Sequence, residues 1–161
     1  AWGLAPPVPV PALAHRLADT KDGDVVETAP GLPAVAAEVG RRVALGGAAL
    51  VVDYGDWRSQ GDTLQALSRH RRADPLEAPG QADLTAHVDF EALALAAAPA
   101  RHTRLSTQGA FLERLGIEAR AARLGQQAER ARLTSPAGMG TLFKVMGLYP
   151  PGGPVPPGLV A

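Results

Sequence analysis

One early stretch of the chain places its apolar residues three or four positions apart. These residues are Leu32, Val35, Ala36, Val39 and Val43. Glu38 and Arg41 fall on the other side of a helix, so the spacing predicts an amphipathic helix over residues 33–45 with one buried face. Gly46 and Gly47 follow and mark its end, because glycine readily takes the backbone conformations found past a helix terminus.

A continuous apolar segment follows the double glycine. Residues 48–52 contain no polar side chain, and they lead directly into Asp53, Tyr54 and Gly55. An uninterrupted apolar run of this length is typical of a fully buried parallel strand. Ligands of α/β proteins gather at the carboxyl ends of such strands, although Asp and Gly are also common in turns. The pattern alone leaves a functional site and a simple turn equally open.

Shorter segments after that strand alternate between strand and helix patterns. Asp89 and Thr107 suit the N-cap positions of two helices, because their side-chain oxygens accept hydrogen bonds from free backbone N–H groups. Residues 62–71 fit either element, and the flanking Gly61 favours a strand. The other predicted strands are 24–27, 83–88 and 141–148, and the predicted helices are 90–98, one that follows Thr107 and 118–132. This alternation predicts an α/β fold.

Proline is concentrated near both ends of the chain, in residues 6–11 and 150–157. Proline lacks the backbone donor that helices and sheets use, so both segments should lie outside regular structure. We therefore expect an extended arm over residues 1–22, a folded unit over 23–149 and a tail over 150–161.

Charge and length restrict the kind of protein this is. The 161 residues suit one domain, and 16 basic residues balance 16 acidic ones, so no overall field attracts a polyanion such as nucleic acid. The basic cluster at residues 69–72 lies near Asp74 and Glu77 in the sequence. A solvated surface fits this cluster better than a phosphate-binding site.

The chain contains no cysteine, which rules out disulfides and thiolate chemistry and fits a cytoplasmic or matrix-like compartment. No apolar segment approaches the ~20 residues that cross a bilayer. The first residues lack the basic and apolar regions of a signal peptide. We expect a protein without a membrane span and without a targeting sequence at this amino terminus.

Six sequence blocks occur in a fixed order and together resemble one family, the MidA-type class I S-adenosylmethionine-dependent methyltransferases. They are residues 46–55 (GGAALVVDYG), 61–66 (GDTLQA), 74–76 (DPL), 82–90 (ADLTAHVDF), 107–117 (TQGAFLERLGI) and 139–145 (MGTLFKV). A lone Asp-Tyr-Gly carries little information. Several ungapped blocks at matching spacing are a specific signal.

The resemblance implies the carboxy-terminal part of a Rossmann-like, seven-stranded sheet. Its fifth strand would be residues 48–52, and its last, antiparallel strand would lie near 141–148. The implied reaction is methyl transfer from S-adenosylmethionine to an arginine of a protein. A mitochondrial relative modifies a subunit of respiratory complex I and is required for its assembly, so such a subunit is the implied partner. The implied location is the cytoplasm of a bacterium or the mitochondrial matrix of a eukaryote.

The cofactor-binding part of that family is not recognisable here. Its members hold the cofactor on a glycine-rich turn after the first strand, where only glycine lets the backbone approach closely. No such turn precedes Asp53. We therefore expect no cofactor-binding residue in this chain, an absent amino-terminal half, little activity of the chain alone, and a tendency to self-associate.

Three residues are the predicted catalytic groups. Methylation of a guanidinium requires carboxylates that hold the cation and a group that accepts its proton. Asp53 is the best placed carboxylate, Tyr54 would border the substrate, and His87 would take a proton near neutral pH. A buried, hydrogen-bonded loop position is the more common role for a histidine such as His87.

Four residues are the predicted substrate-binding groups, namely Gly55, Gln65, Thr85 and Gln108. The two glutamines would equally well satisfy backbone groups. A metal site is not expected, because the nearby histidines and aspartates match no ligand spacing and methyl transfer needs no metal. Two functions remain open: half of a protein methyltransferase, or a non-catalytic binding module that assists assembly.

Overall fold

A computed structural model of the chain describes residues 5–77 and 80–161. The chain divides into two compact units. One contains the described residues up to Ala29 together with residues 60–86, and the other contains residues 30–59 and 87–161. The helices are α1 (Leu32–Ala44), α2 (Phe90–Ala96), α3 (Gln108–Arg114), α4 (Ile117–Leu124) and α5 (Gln127–Thr134), and the strands are β1 (Ala49–Asp56), β2 (Gln65–Ser68), β3 (Arg71–Ala73), β4 (Asp83–Thr85), β5 (Val88–Asp89), β6 (Arg101–His102), β7 (Ser106–Thr107) and β8 (Phe143–Tyr149).

The larger unit is built on a five-stranded sheet with the order β5-β1-β8-β6, in which β7 also pairs with β8. β8 runs antiparallel to β1 from the pair Ala49 and Leu148 to the pair Tyr54 and Phe143. This confirms an antiparallel last strand beside the apolar strand. The sheet is mixed rather than purely parallel, since β5 alone runs parallel to β1.

Helices α1 and α2 cover one face of this sheet and form the core with it. Phe90, Ala97 and Met146 are completely buried there. The two helices approach closely at Gly40, where a Cβ atom would lie 1.9 Å from the carbonyl oxygen of Ala97. Helix α1 confirms an amphipathic helix near residues 33–45, since its buried residues lie on one side, but the predicted core residue Val35 is 64% exposed.

Strand β1 is less buried than its apolar sequence predicts. Leu50 is 50% exposed and Val52 is 41% exposed, whereas Ala49 and Val51 pack against the core. The expectation of a fully buried parallel strand is therefore wrong within the described residues. One face of β1 is covered by helices, and its edge away from β8 is paired only at Gly55 and Asp56.

The predicted helix starts are confirmed, and one predicted helix is divided. The Asp89 carboxylate accepts from Ala92 N at 2.9 Å, and the Thr107 hydroxyl accepts from Ala110 N at 3.3 Å. The helix expected over residues 118–132 is instead the pair α4 and α5. Gly125 separates them, because its left-handed conformation (φ 65°) ends α4.

The smaller unit contains a three-stranded antiparallel sheet with the order β3-β2-β4. The single strand expected over residues 62–71 is only partly correct, because β2 ends at Ser68 and a turn at Arg69 and His70 leads into β3. Residues 24–27 form no strand, contrary to expectation, yet they are fixed in place by other contacts. The Glu27 carboxylate accepts from Thr63 N and Leu64 N at 3.0 Å each, and from the Thr63 hydroxyl.

The proline-rich ends form more structure than their composition predicts. Near the amino terminus, Pro11–Arg16 is a short 3-10 helix in which Arg16 is 2% exposed. After β8 the chain packs back on its own unit, since Arg104 N donates to the carbonyl of Val160 and Leu159 contacts Gly147. Within the part of the chain that the structure describes, no helix is long and apolar enough to cross a bilayer.

Candidate functional site

The carboxyl end of β1 carries a carboxylate that no cation of the described residues neutralises. Asp53 is half-buried, and its Oδ1 accepts from Tyr54 N at 2.8 Å. Lys144 lies opposite it in the register of β8, but the Lys144 Nζ donates to the carbonyl of Thr141 at 2.9 Å. Among residues 5–77 and 80–161, Asp53 takes part in no ion pair. Its second oxygen is therefore available for an external donor.

Tyr54 follows Asp53 and projects from the opposite face of β1, because successive side chains of a strand alternate. Its ring packs on Phe143, with centroids 4.5 Å apart and planes inclined by 42°. No described residue hydrogen-bonds its hydroxyl. The strand thus presents a phenol on one face and a carboxylate on the other, and the two predicted catalytic groups do not converge on one face.

Gly55 lets β5 approach β1 at this end of the sheet. It pairs with Val88, has φ 150°, and is buried. A Cβ atom at Gly55 would lie 2.2 Å from the Val88 carbonyl oxygen, so any other residue would force one of the two strands to shift. Gly55 therefore has a structural role, which is to allow close packing of β5 on β1. Contact of Gly55 with substrate stays a prediction.

His87 comes directly before Val88 and so lies at the same end of β1 as Asp53. The residue is exposed, which corrects the alternative of a buried loop histidine. It is also held by an interaction within the chain. The structure therefore brings Asp53, Tyr54, Gly55 and His87 to one end of the strand, all within the larger unit.

Sequence reasoning missed the residues that fasten the loop after β1. Glu91, in the first turn of α2, accepts from Trp57 Nε1 at 3.2 Å and from both Arg58 Nε and Nη2 at 2.7 and 2.9 Å. The Trp57 ring also packs on His102, with centroids 5.5 Å apart.

The remaining predicted substrate residues lie elsewhere. Gln65 and Thr85 are register partners in the sheet of the smaller unit, on neighbouring strands β2 and β4. Gln108 is 8% exposed at the start of α3, and its Nε2 donates to the carbonyl of Leu133 at 2.9 Å. Gln108 thus hydrogen-bonds a backbone carbonyl, which is the structural role that the sequence left open beside substrate binding.

Side chains already cap the N-termini of the two helices that follow strands. A helix N-terminus that follows a strand is the usual anion-binding element, and α2 and α3 are the two that qualify. The first of these is capped by the Asp89 carboxylate, which repels an anion, and the second by the Thr107 hydroxyl. No group of three His, Asp or Glu residues that would hold a metal occurs in the described ranges.

Comparison with known proteins supplies a family. The sequence profile described as "Putative S-adenosyl-L-methionine-dependent methyltransferase" matches residues 4–109. The mitochondrial protein arginine methyltransferase NDUFAF7 homolog of Drosophila melanogaster is 39% identical over 118 residues, which is 65% of this chain and 27% of the relative. Human mitochondrial protein arginine methyltransferase NDUFAF7 is 41% identical over 99 residues, which is 60% of this chain and 22% of the relative.

Two solved structures share this architecture. One is a protein of Burkholderia thailandensis bound to S-adenosyl-homocysteine, with a TM-score of 0.78 and 33% identity over 95% of this chain and 44% of that chain. The other is an uncharacterized protein of the same organism, with a TM-score of 0.73 and 35% identity over 84% of this chain and 42% of that one. The chain therefore spans about a quarter of the curated relatives and less than half of the solved structures.

Proposed function

The chain belongs to the family of S-adenosyl-L-methionine-dependent methyltransferases, and from this premise we propose that it forms the substrate-binding half of a protein arginine methyltransferase. The relatives named as protein arginine methyltransferases suggest the reaction and the residue that is modified. The part of those proteins that this chain does not span would supply the cofactor site.

The observation that carries the proposal is the unneutralised carboxylate of Asp53 at the carboxyl end of β1. A guanidinium presents parallel N–H donors that match the two oxygens of a carboxylate. Oδ2 of Asp53 has no partner among the described residues and would accept one of those donors. The same group is suited to hold the positive charge of the substrate arginine and to take up the proton it loses. His87 would border the arginine at the same strand end, whereas Tyr54 lies on the other face of β1 and packs on Phe143.

The proposal includes the larger sheet that the family resemblance implies. We propose that β1 is the fifth and β8 the last strand of a seven-stranded Rossmann-like sheet. The open edge of β1 and the exposed Leu50 and Val52 support this, since an added strand and helix would cover them. S-adenosylmethionine would supply the methyl group from the other half of that sheet.

A second function is a non-catalytic binding module that keeps only the protein-docking surface. The side-chain caps on the N-termini of α2 and α3 support this function for the chain taken alone. The binding-module function would be excluded if a further segment of the same protein, or a second chain, supplied a cofactor site. The two functions differ in whether a complete protein transfers methyl groups.

Partner and location follow from the same resemblance and stay proposals. The substrate would be a protein, and a subunit of respiratory complex I is the specific candidate. The curated relatives are mitochondrial proteins. A eukaryotic source would therefore place this chain in the mitochondrial matrix, and a bacterial source would place it in the cytoplasm.

The test joins the chain to a matching amino-terminal half from a relative and compares two matched substitutions. Asp53→Asn should lower methyl transfer to an arginine peptide by about 100-fold while the Kd for S-adenosylmethionine stays unchanged. Asp56→Asn is the control, because Asp56 lies on the same strand and likewise accepts from the next backbone N–H at 2.8 Å. Equal loss of transfer and cofactor binding, or no loss with Asp53→Asn, would show that Asp53 does not bind substrate.

A further inference from the structure

The hairpin of β2 and β3 carries four consecutive basic residues at its tip and on its outer strand. Arg69, His70, Arg71 and Arg72 are all exposed. None of the three arginines forms an ion pair within residues 5–77 and 80–161. The chain as a whole is neutral, so this is a local concentration of unpaired positive charge.

The turn that displays these residues is made of side chains that disfavour it. Ser68 and Arg71 are register partners, so Arg69 and His70 alone form the connection. Both have left-handed backbones, with φ of 49° and 62°. Two-residue turns of this kind usually contain asparagine and glycine, which take that conformation at little cost. An arginine and a histidine adopt this conformation at a cost in stability.

The strand beside the turn also has an open edge. β3 is the outer strand of the order β3-β2-β4, and its only partner in the described residues is β2. Arg71 and Arg72 are consecutive on it and therefore project from opposite faces. A strand added to this edge would meet a guanidinium on each face. The far edge, β4, carries Asp83 instead, so only the β3 edge suits an acidic strand.

We propose that the open edge of β3 docks an extended, acidic segment of a protein, which pairs with β3 as a fourth strand. Its carboxylates contact Arg69, Arg71 and Arg72. Main-chain hydrogen bonds supply affinity in such strand addition, and side-chain charge selects the partner. The inference rests on the proposed function only in taking that segment to belong to the methylated protein.

Arginines on an edge strand also have a simpler use, which is to prevent uncontrolled pairing with other chains. If the arginines only protect the edge, they should prevent the pairing of any further strand, whatever its charge. Docking requires that an acidic strand binds and that a basic one does not. The distinction is therefore measurable with short peptides.

The experiment measures fluorescence anisotropy of labelled octapeptides with the 161-residue chain. An alternating Glu-Thr peptide should bind, and the matching Lys-Thr peptide should not. An alternating Glu-Pro peptide, which keeps the charge but lacks half of the backbone donors, should bind about tenfold more weakly. Equal binding of the Glu-Thr and Glu-Pro peptides would overturn strand pairing.

Substitutions then locate the surface. Arg71→Glu with Arg72→Glu should weaken Glu-Thr binding about tenfold, and Arg71→Lys with Arg72→Lys should retain most of it. Arg123→Glu, an exposed arginine of α4, is the control and should change nothing. Asp53→Asn should also leave peptide binding unchanged, so failure of docking is distinguishable from failure of the proposed methyl transfer.

Three other results would contradict docking of an acidic protein segment. They are unchanged Glu-Thr binding after charge reversal, displacement of the peptide by single-stranded RNA at lower concentration, and light scattering that shows the arginines joining two copies of this chain through the β3 and β4 edges.

Discussion

Asp53 and Lys144 lie directly opposite each other on β1 and β8, yet they form no ion pair because Lys144 Nζ donates to the Thr141 carbonyl. Opposite charges at paired positions of an antiparallel ladder usually contact each other. Here the lysine is engaged by its own turn, and the carboxylate keeps its capacity for an external cation. The proposed substrate site at the end of β1 depends on this relationship, because a paired Asp53 would not be free to bind an arginine.

The first prediction concerns the cofactor. The isolated chain should bind S-adenosylmethionine very weakly, because neither helix that follows a strand offers a free N-terminus for its carboxylate. Titration calorimetry measures this directly. A Kd in the low micromolar range, about −7 to −8 kcal/mol, would show that the described residues contain a cofactor site after all.

The second prediction concerns the uncovered side of β1. Leu50 and Val52 are exposed beside an edge with unpaired backbone groups, an arrangement that invites pairing with another chain. The isolated chain should therefore self-associate, and addition of the amino-terminal half should give a defined complex. Size-exclusion chromatography with light scattering measures both.

Substitutions on β1 test whether its exposed side causes the self-association. Leu50→Lys with Val52→Lys should shift the chain toward the monomer, whereas Leu45→Lys should not, because Leu45 is 81% exposed but lies outside the strand. A monodisperse wild-type monomer with a sharp thermal transition would argue for a self-sufficient domain. It would favour the binding-module function.

The third prediction separates backbone strain from steric overlap. Gly46→Ala should cost about 1–2 kcal/mol, because Gly46 has φ 136° but nothing lies within 4 Å of its Cβ position. Gly55→Ala should cost about 2 kcal/mol more, because its Cβ would also overlap the Val88 carbonyl. Urea unfolding measures the difference. Equal losses would mean that β5 moves away from β1 freely.

The fourth prediction concerns pH. Hydrogen bonds from Arg41 first and Arg42 second lower the pKa of Glu38 from 4.5 to about 2. A carboxyl whose pKa is lower in the folded state stabilises the fold above its unfolded pKa, and this contribution is lost as the pH falls. The melting temperature of Glu38→Gln should therefore lie below that of wild type above pH 4.5, and the two should converge near pH 2.

The Glu38 effect should be small and should weaken with salt, because all three side chains are exposed. Glu129→Gln serves as the control, since Glu129 is exposed on α5 and forms no ion pair within the described residues. If the melting temperatures of Glu38→Gln and wild type differed by the same amount at every pH, the effect would come from helix propensity and not from charge.

Local patterns in the sequence determined where most elements begin and which faces they bury. Asp89 and Thr107 cap α2 and α3 as predicted, because an N-cap depends only on a side chain and a backbone N–H three residues later. The spacing of apolar residues likewise located α1. The six sequence blocks likewise indicated the family to which the chain belongs.

Contacts between distant residues were decided only by the tertiary structure. The apolar run before Asp53 predicted burial, yet Val52 is 41% exposed, because burial depends on which strands and helices lie alongside. The predicted site residues also separate in space: Asp53 and His87 lie at one strand end, Gln65 and Thr85 lie in the other unit, and Gln108 holds a backbone carbonyl.

What the sequence by itself determined is therefore the family, the helix caps and the amphipathic patterns, all of which depend on residues close together in the chain. The tertiary structure alone decided that Lys144 does not neutralise Asp53 and that Glu91 fastens the loop at Trp57 and Arg58. The Glu91 contacts join residues that are more than thirty positions apart. Their geometry depends on sheet register and helix packing, which no local pattern specifies.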